Sequence, residues 1–169
     1  MTNQIQTDNR PKPGKYLTFM LGAEHYSLPI LKVREIMRLC PITPVPRMPV
    51  YIQGVINLRG KIVPVLDLRA RFRLPAFADQ ERVCIIVVQL ESSDGGTNLM
   101  GMIVDMVEEV SQYAEAEIEP TPDFGSLVDT RYITGMTKTK GTVKTLLDLD
   151  KLLTMDGDID LQQVYREVA

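Results

Sequence analysis

The chain has 169 residues, 44% of them hydrophobic and 24% charged, and its 19 basic and 22 acidic side chains leave a net charge of −3. That balance can fill one domain or two tight half-domains and supplies no basic field to attract a phosphate backbone or an anionic membrane surface. Cys40 and Cys84 are too few for the disulfide framework of a small secreted domain, and the longest apolar stretch, residues 83–88, is too short to cross a bilayer, so a soluble cytoplasmic protein is expected.

Residues 1–14 are polar, carry two prolines and have little to bury, which predicts a disordered tail. Residues 16–21 and 25–30 alternate around Gly22 and read as a two-stranded hairpin. Residues 31–38, with Val33, Ile36 and Met37, fit a short helix or an irregular strand equally well. Pro41, Pro44, Pro46 and Pro49 then impose an extended connection, because each removes a ladder donor and biases its predecessor away from the helical region. Strands are predicted over 55–58 and 61–66 around Gly60, and Asp67 is placed to cap a short helix over 68–72. Residues 83–90 read as a strand buried on both faces, and a turn through Gly95 and Gly96 returns the chain into 99–104. A polar stretch follows over 114–130. Asp148 is placed to cap a second short helix, and Leu161, Val164, Tyr165 and Val168 predict a last helix within 154–169.

Two stretches say the same thing twice. Ile52, Gly54, Gly60 and Leu66-Asp67-Leu68 recur as Ile133, Gly135, Gly141 and Leu147-Asp148-Leu149 at one offset of 81 residues (54 to 135, 60 to 141, 67 to 148), with Ile62 answered by Val143. Upstream, Val33-Arg34-Glu35-Ile36 is echoed by Val107-Glu108-Glu109-Val110 at an offset of 74 (33 to 107). Two copies argue for two similar lobes, since solenoids need more units. Short strands with frequent turns and little helix predict a mainly β fold of two small, closed five-stranded barrels of the SH3 or OB kind, packed together, with approximate lobes at 15–80 and 81–153.

The residues offer little to an enzyme. His25 is the one histidine and sits in an alternating strand, and the cysteines have neither metal-ligand spacing nor a phased histidine. No GxxxxGK[ST] or GxGxxG occurs. Asp156, Asp158, Asp160 and Glu167 imitate a calcium loop, but Leu161 stands where its turn needs glycine. Arg69, Arg71 and Arg73 read as a solvated helix face, because a nucleic-acid groove would need stacking aromatics that this chain, with no tryptophan, lacks. No catalytic residue, metal or cofactor is therefore expected. What the chain does offer is a charge pair in each copy, Glu35 with Arg59 and Glu109 with Lys140, and nine methionines, a side chain that adapts to partner surfaces.

The run Gly54-Val55-Ile56-Asn57-Leu58-Arg59-Gly60, followed by residues 62–69, closely resembles the signature of the CheW-like chemotaxis coupling proteins. Residues 31–36 and 101–107 are similar to two further blocks of that family, so the resemblance spans about 15–153. It implies a non-enzymatic adaptor of two five-stranded barrels with strands exchanged between lobes. Its partners would be the cytoplasmic tips of methyl-accepting receptors and the regulatory domain of the histidine kinase CheA, with recruitment to arrays at the inner membrane and room for self-association. A related pilus-motility pathway is the alternative. Matching family positions would make Val33, Glu35, Ile36, Gly54, Arg59, Cys84, Gly101, Val107 and Val110 partner-binding residues, with Glu35 and Arg59 paired beside the receptor-binding groove of the first lobe.

Overall fold

The computed structural model describes residues 12–75, 81–92, 95–122 and 131–154. The helix expected within 154–169 and the acidic run from Asp156 lie outside them apart from Thr154. At the end of the expected tail Lys12 and Pro13 are exposed, the Lys12 carbonyl accepts a 2.6 Å bond from the Tyr16 hydroxyl, and the first strand begins at Gly14.

The elements in chain order are β1 (Gly14–Leu21), β2 (Glu24–Pro29), a 3-10 turn (Ile30–Lys32), β3 (Val33–Arg38), β4 (Ile52–Leu58), β5 (Lys61–Asp67) and α1 (Leu68–Arg71). There follow β6 (Cys84–Glu91), β7 (Thr97–Val104), β8 (Met106–Tyr113), a 3-10 turn (Glu115–Glu117), β9 (Ile118–Glu119), β10 (Ile133–Thr139), β11 (Thr142–Leu147) and α2 (Leu149–Thr154). The ambiguity over 31–38 resolves into both forms, a single tight turn and then a strand. Val33 and Ile36 are β-branched and pair with Val88 and Ile86 of β6, which a helix would forgo. Asp67 and Asp148 both act as the expected caps, accepting from the Arg69 and Lys151 amides at 3.0 and 3.1 Å.

Two sheets result, ordered β3-β6-β7-β5-β4 and β8-β1-β2-β11-β10-β9. The first is continuous in sequence, whereas the second joins the N-terminal hairpin to strands from the C-terminal half. The boundary between sheets therefore does not fall at residue 80. Within each sheet the parts correspond: β6–β7 lies beside β5 through a parallel pairing, as β1–β2 lies beside β11. The repeat is also register-true, with Gly54 opposite Val65 after a bulge and Gly135 opposite Leu146 after a bulge, 81 residues apart on both strands (54 to 135, 65 to 146).

Closed barrels do not form, and the expectation of closure is corrected to two strongly curled, open sheets. β3 and β4 are the edges of one, β8 and β9 those of the other. Each pair of edges is nonetheless brought close by a short connection. After Arg38 ends β3, Thr43 already bridges Val55 of β4, five residues on, a reach of at most about 17 Å. After Tyr113 ends β8, Ile118 already pairs with Thr137 of β10. Pro41 and Pro44 have no amide to carry the first ladder onward, and β9 is only two residues long, which explains why neither closes.

The main core lies between the sheets, where Phe19, Leu21 and Leu28 meet Leu66, Ile86, Met100, Met102, Leu147 and Leu152, all 1% exposed or less. Fully burying each such side chain contributes about 1.5–3 kcal/mol. Phe19, Tyr26, Phe72 and Tyr132 continue this core as an aromatic row with ring centres 5.6–5.9 Å apart. A separate apolar cluster, Ile56, Val63, Val65, Ile85 and Val87, fills the five-stranded curl, and Tyr16, Tyr113, Ile118 and Leu146 fill the other.

Of the arginine strip only Arg73 is exposed as expected, whereas Arg69 and Arg71 are drawn into the fold. Arg69 Nε and Nη2 each donate to Asp105 at 2.6 Å, and Asp105 Oδ2 also accepts the Gly22 amide at 2.6 Å. The hydrogen bonds to Asp105 raise the pKa of Arg69 against the opposing effect of burial, and they tie α1, the β7–β8 crossover and the β1–β2 turn together. Arg71 reaches the Leu152 carbonyl at 3.1 Å and lies over the Tyr51 ring.

Candidate functional site

A half-open groove of about 370 Å³ opens at the mouth of the five-stranded curl. Its floor is Val33, Leu58 and Leu99, and its rim is Arg34, Glu35, Arg59 and Lys61. β3 supplies one wall. Its register slips by one residue between Val33 and Glu35, and such a bulge re-aims the side chains beside it. The β4–β5 hairpin supplies the other wall.

That hairpin turns in two residues, Arg59 and Gly60, with φ of 50° and 85°, and Leu58 pairs with Lys61. Two positive φ values define the tight turn that suits a right-twisted hairpin, and asparagine is the usual first residue. Arginine in that conformation is strained, yet the second copy repeats it, with Lys140 and Gly141 at 52° and 79°. Asn57 braces the first turn by accepting the Gly60 amide at 2.8 Å, a role that Lys138 at the equivalent place has no acceptor atom to take.

The turn sets Arg59 against β3, where its Nη1 and Nη2 meet Glu35 Oε1 and Oε2 at 3.1 and 3.2 Å. The expected pairing is therefore present, and it is two-pronged. Glu35 is half-buried whereas the Arg59 side chain is 79% exposed, so the fork lies open to solvent on one side. In the second copy the pairing is rewired. Glu109 meets the buried Lys144 at 3.4 Å rather than Lys140, and His25 Nδ1 stands 2.8 Å from Glu108, a hydrogen bond whenever that nitrogen carries a proton.

Of the nine expected partner-binding residues, Val33, Glu35 and Arg59 meet in the groove. Ile36 and Val110 lie exposed at equivalent positions of the two edge strands, at 46% and 51%. Cys84 and Val107 are neighbours: the Val107 backbone bonds the thiol, while burial pushes the thiol pKa up. Gly54 and Gly101 are spacers. A Cβ at Gly54 would stand 2.0 Å from the Thr43 carbonyl oxygen, and one at Gly101 would stand 2.9 Å from Ile85 Cγ2. Both are required for close packing and present no side chain to a partner.

Sequence reasoning missed the remaining groove residues, Arg34, Leu58, Lys61 and Leu99, and the matched exposure of Ile62 and Val143, at 54% and 47%. The offset of 81 held the signal for the last pair, an apolar residue two places after the second glycine of each hairpin (62 to 143).

An apolar-floored, charge-rimmed groove beside exposed edge strands has the form of a surface suited to docking another protein rather than to catalysing a reaction. Residues 15–157 match the CheW-like domain. The chain is 35% identical to the chemotaxis protein CheW of Klebsiella aerogenes, over 84% of this chain and 82% of that one. It is 34% identical to the CheW of Rhizobium meliloti, over 80% and 84% of the respective chains. The crystal structure of the scaffolding protein TtCheW from Thermoanaerobacter tengcongensis superposes with a TM-score of 0.74 at 36% identity, covering 86% of this chain and 96% of that one. The chain belongs to the CheW-like family, and its function is that of a chemotaxis coupling scaffold.

Proposed function

We propose that this protein joins the cytoplasmic tips of methyl-accepting receptors to the regulatory domain of a CheA-type histidine kinase, at receptor arrays in the cytoplasm, without catalysing a reaction itself. Val33, Glu35, Ile36, Arg59, Cys84, Val107 and Val110 form or border the contact surfaces, and Gly54 and Gly101 hold the backbone that presents them. The observation that carries the reading is the Glu35–Arg59 fork: two charges held in a defined geometry at the lip of a groove, one of them mostly in water. For folding, such a pair contributes only about 0–1 kcal/mol. Desolvated by a partner, the same charges matter more, and truncating one costs about 2–5 kcal/mol of binding.

Arg59→Ala separates these roles. The variant is expected to keep its melting temperature and to lose receptor-dependent activation of the kinase in a titration, with Glu35→Ala showing a milder loss. Normal activation by folded Arg59→Ala would remove the groove from the coupling surface. The protein is also 29% identical to FrzA of Myxococcus xanthus, and the kinase that co-purifies from native cytoplasm decides between a chemotaxis pathway and a related motility pathway.

A further inference from the structure

The groove's charge is lopsided. Arg34, Arg59 and Lys61 face a single carboxylate, Glu35, and Arg59 already holds it. Arg34 and Lys61 are exposed and enter no ion pair among the described residues. In a chain whose net charge is −3, this one rim carries three cations against one anion.

The repeat supplies a comparison inside the same molecule. Because Val65 lies opposite Gly101 and Leu146 opposite Ser27, Leu99 of the first mouth corresponds to His25 of the second. By the same equivalences Arg34 corresponds to Glu108, Leu58 to Thr139, Lys61 to Thr142 and Val63 to Lys144. The second mouth is thus occupied by its own polar groups, with Glu108 against His25 and Glu109 against Lys144. At the matching place, the first mouth keeps an apolar floor and two uncommitted cations.

We propose that the first-lobe groove receives an acidic, aliphatic segment of a protein partner. An aliphatic side chain seats on Val33, Leu58 and Leu99, and carboxylates on either side of it meet Arg34 and Lys61. A groove of about 370 Å³ has room for one or two side chains, which suits a short anchor segment and not a whole helix. The inference rests on the reading of this groove as a coupling surface, and it names the chemistry of what enters.

Two probes test it, a soluble cytoplasmic fragment of a methyl-accepting receptor and the regulatory domain of a CheA-type kinase from the same organism, each titrated calorimetrically at several salt concentrations. The expected result is that one of them binds less tightly as salt rises. Arg34→Glu and Lys61→Glu are each expected to weaken that binding by at least about tenfold and to flatten its salt dependence, while Lys61→Arg restores both. The salt series on the unaltered protein needs no variant, and Arg34→Gln with Lys61→Gln serves if a reversal unfolds. Unchanged or tighter binding in the reversals, with coupling still lost in Arg59→Ala, would overturn the acidic-partner inference and leave the coupling surface standing. Normal binding and coupling in all of them would remove the coupling surface as well.

Discussion

Gly54→Ala is the most direct test of how the first curl is held. Gly54 has a φ of 144°, and an added Cβ would meet not only the Thr43 carbonyl oxygen at 2.0 Å but also its carbonyl carbon at 2.7 Å and Pro44 Cα at 2.9 Å. All three are backbone atoms, so no side chain can swing aside. The segment carrying Thr43 must move away, and with it go the two 2.9 Å bonds that Thr43 exchanges with Val55. Each lost bond costs about 0.5–1.5 kcal/mol, and the conformation imposed on alanine adds about 1–3 kcal/mol. The expected destabilisation is about 2–6 kcal/mol, a large share of the roughly 5–15 kcal/mol that holds a domain folded. At about 2–4 °C per kcal/mol in a chain of this size, the melting temperature should fall by about 4–24 °C. Thermal unfolding followed by circular dichroism measures the loss, and hydrogen exchange at the Thr43 and Val55 amides locates it. If the variant melts with the parent and both amides stay protected, the bridge is not what Gly54 serves.

Two other sites carry predictions. Asp105→Asn leaves the Arg69 guanidinium buried without its counter-charge and is expected to destabilise by about 3–5 kcal/mol, read as a lower urea midpoint; an unchanged midpoint would show that the clamp is dispensable. Burial raises the Cys84 thiol above its ordinary 9.0, so the folded protein holds that proton where the unfolded chain gives it up. Stability from this group is full below that ordinary value and is lost as pH rises through the folded one. Cys84 should accordingly react more slowly with iodoacetamide at neutral pH in the folded protein than in urea, and Cys84→Ala should lessen the alkaline fall in stability.

What sequence reasoning captured was what is local. Gly60 and Gly141 announced their hairpins, Asp67 and Asp148 their helical turns, and the repeat announced that both would look alike, because turn and cap chemistry depends on neighbours within a few residues. The pairing of distant strands was not legible in that way. Nothing in residues 14–29 says that they lie beside β8 and β11 rather than beside β3, since alternation fixes a buried face but not the partner along an edge. Arg69 was misread for a related reason. Its partner Asp105 is remote in sequence, and three arginines spaced two apart look alike until the fold buries one of them. The resemblance named Gly54 and Gly101 as partner-binding residues, whereas the approach of Thr43 and Ile85 gives the packing reason why each is glycine.

The duplication explains why the two lobes have one backbone and two chemistries. Bulge, turn, cap and edge connection recur in each, so the positions that present Glu35, Ile36, Arg59 and Ile62 are the positions that present Glu109, Val110, Lys140 and Val143. A fold that places side chains twice in the same way lets each set change without disturbing the other. Lys144 is where this shows most clearly, because a buried lysine, 4% exposed, stands where the first copy has Val63 in an apolar cluster. Its charge is answered by Glu109, which releases Lys140 from the pairing that Arg59 makes in the first lobe. One exchange in the core of the second curl thus reassigns the charges on its rim, while the first groove keeps an apolar floor beneath Arg34 and Lys61.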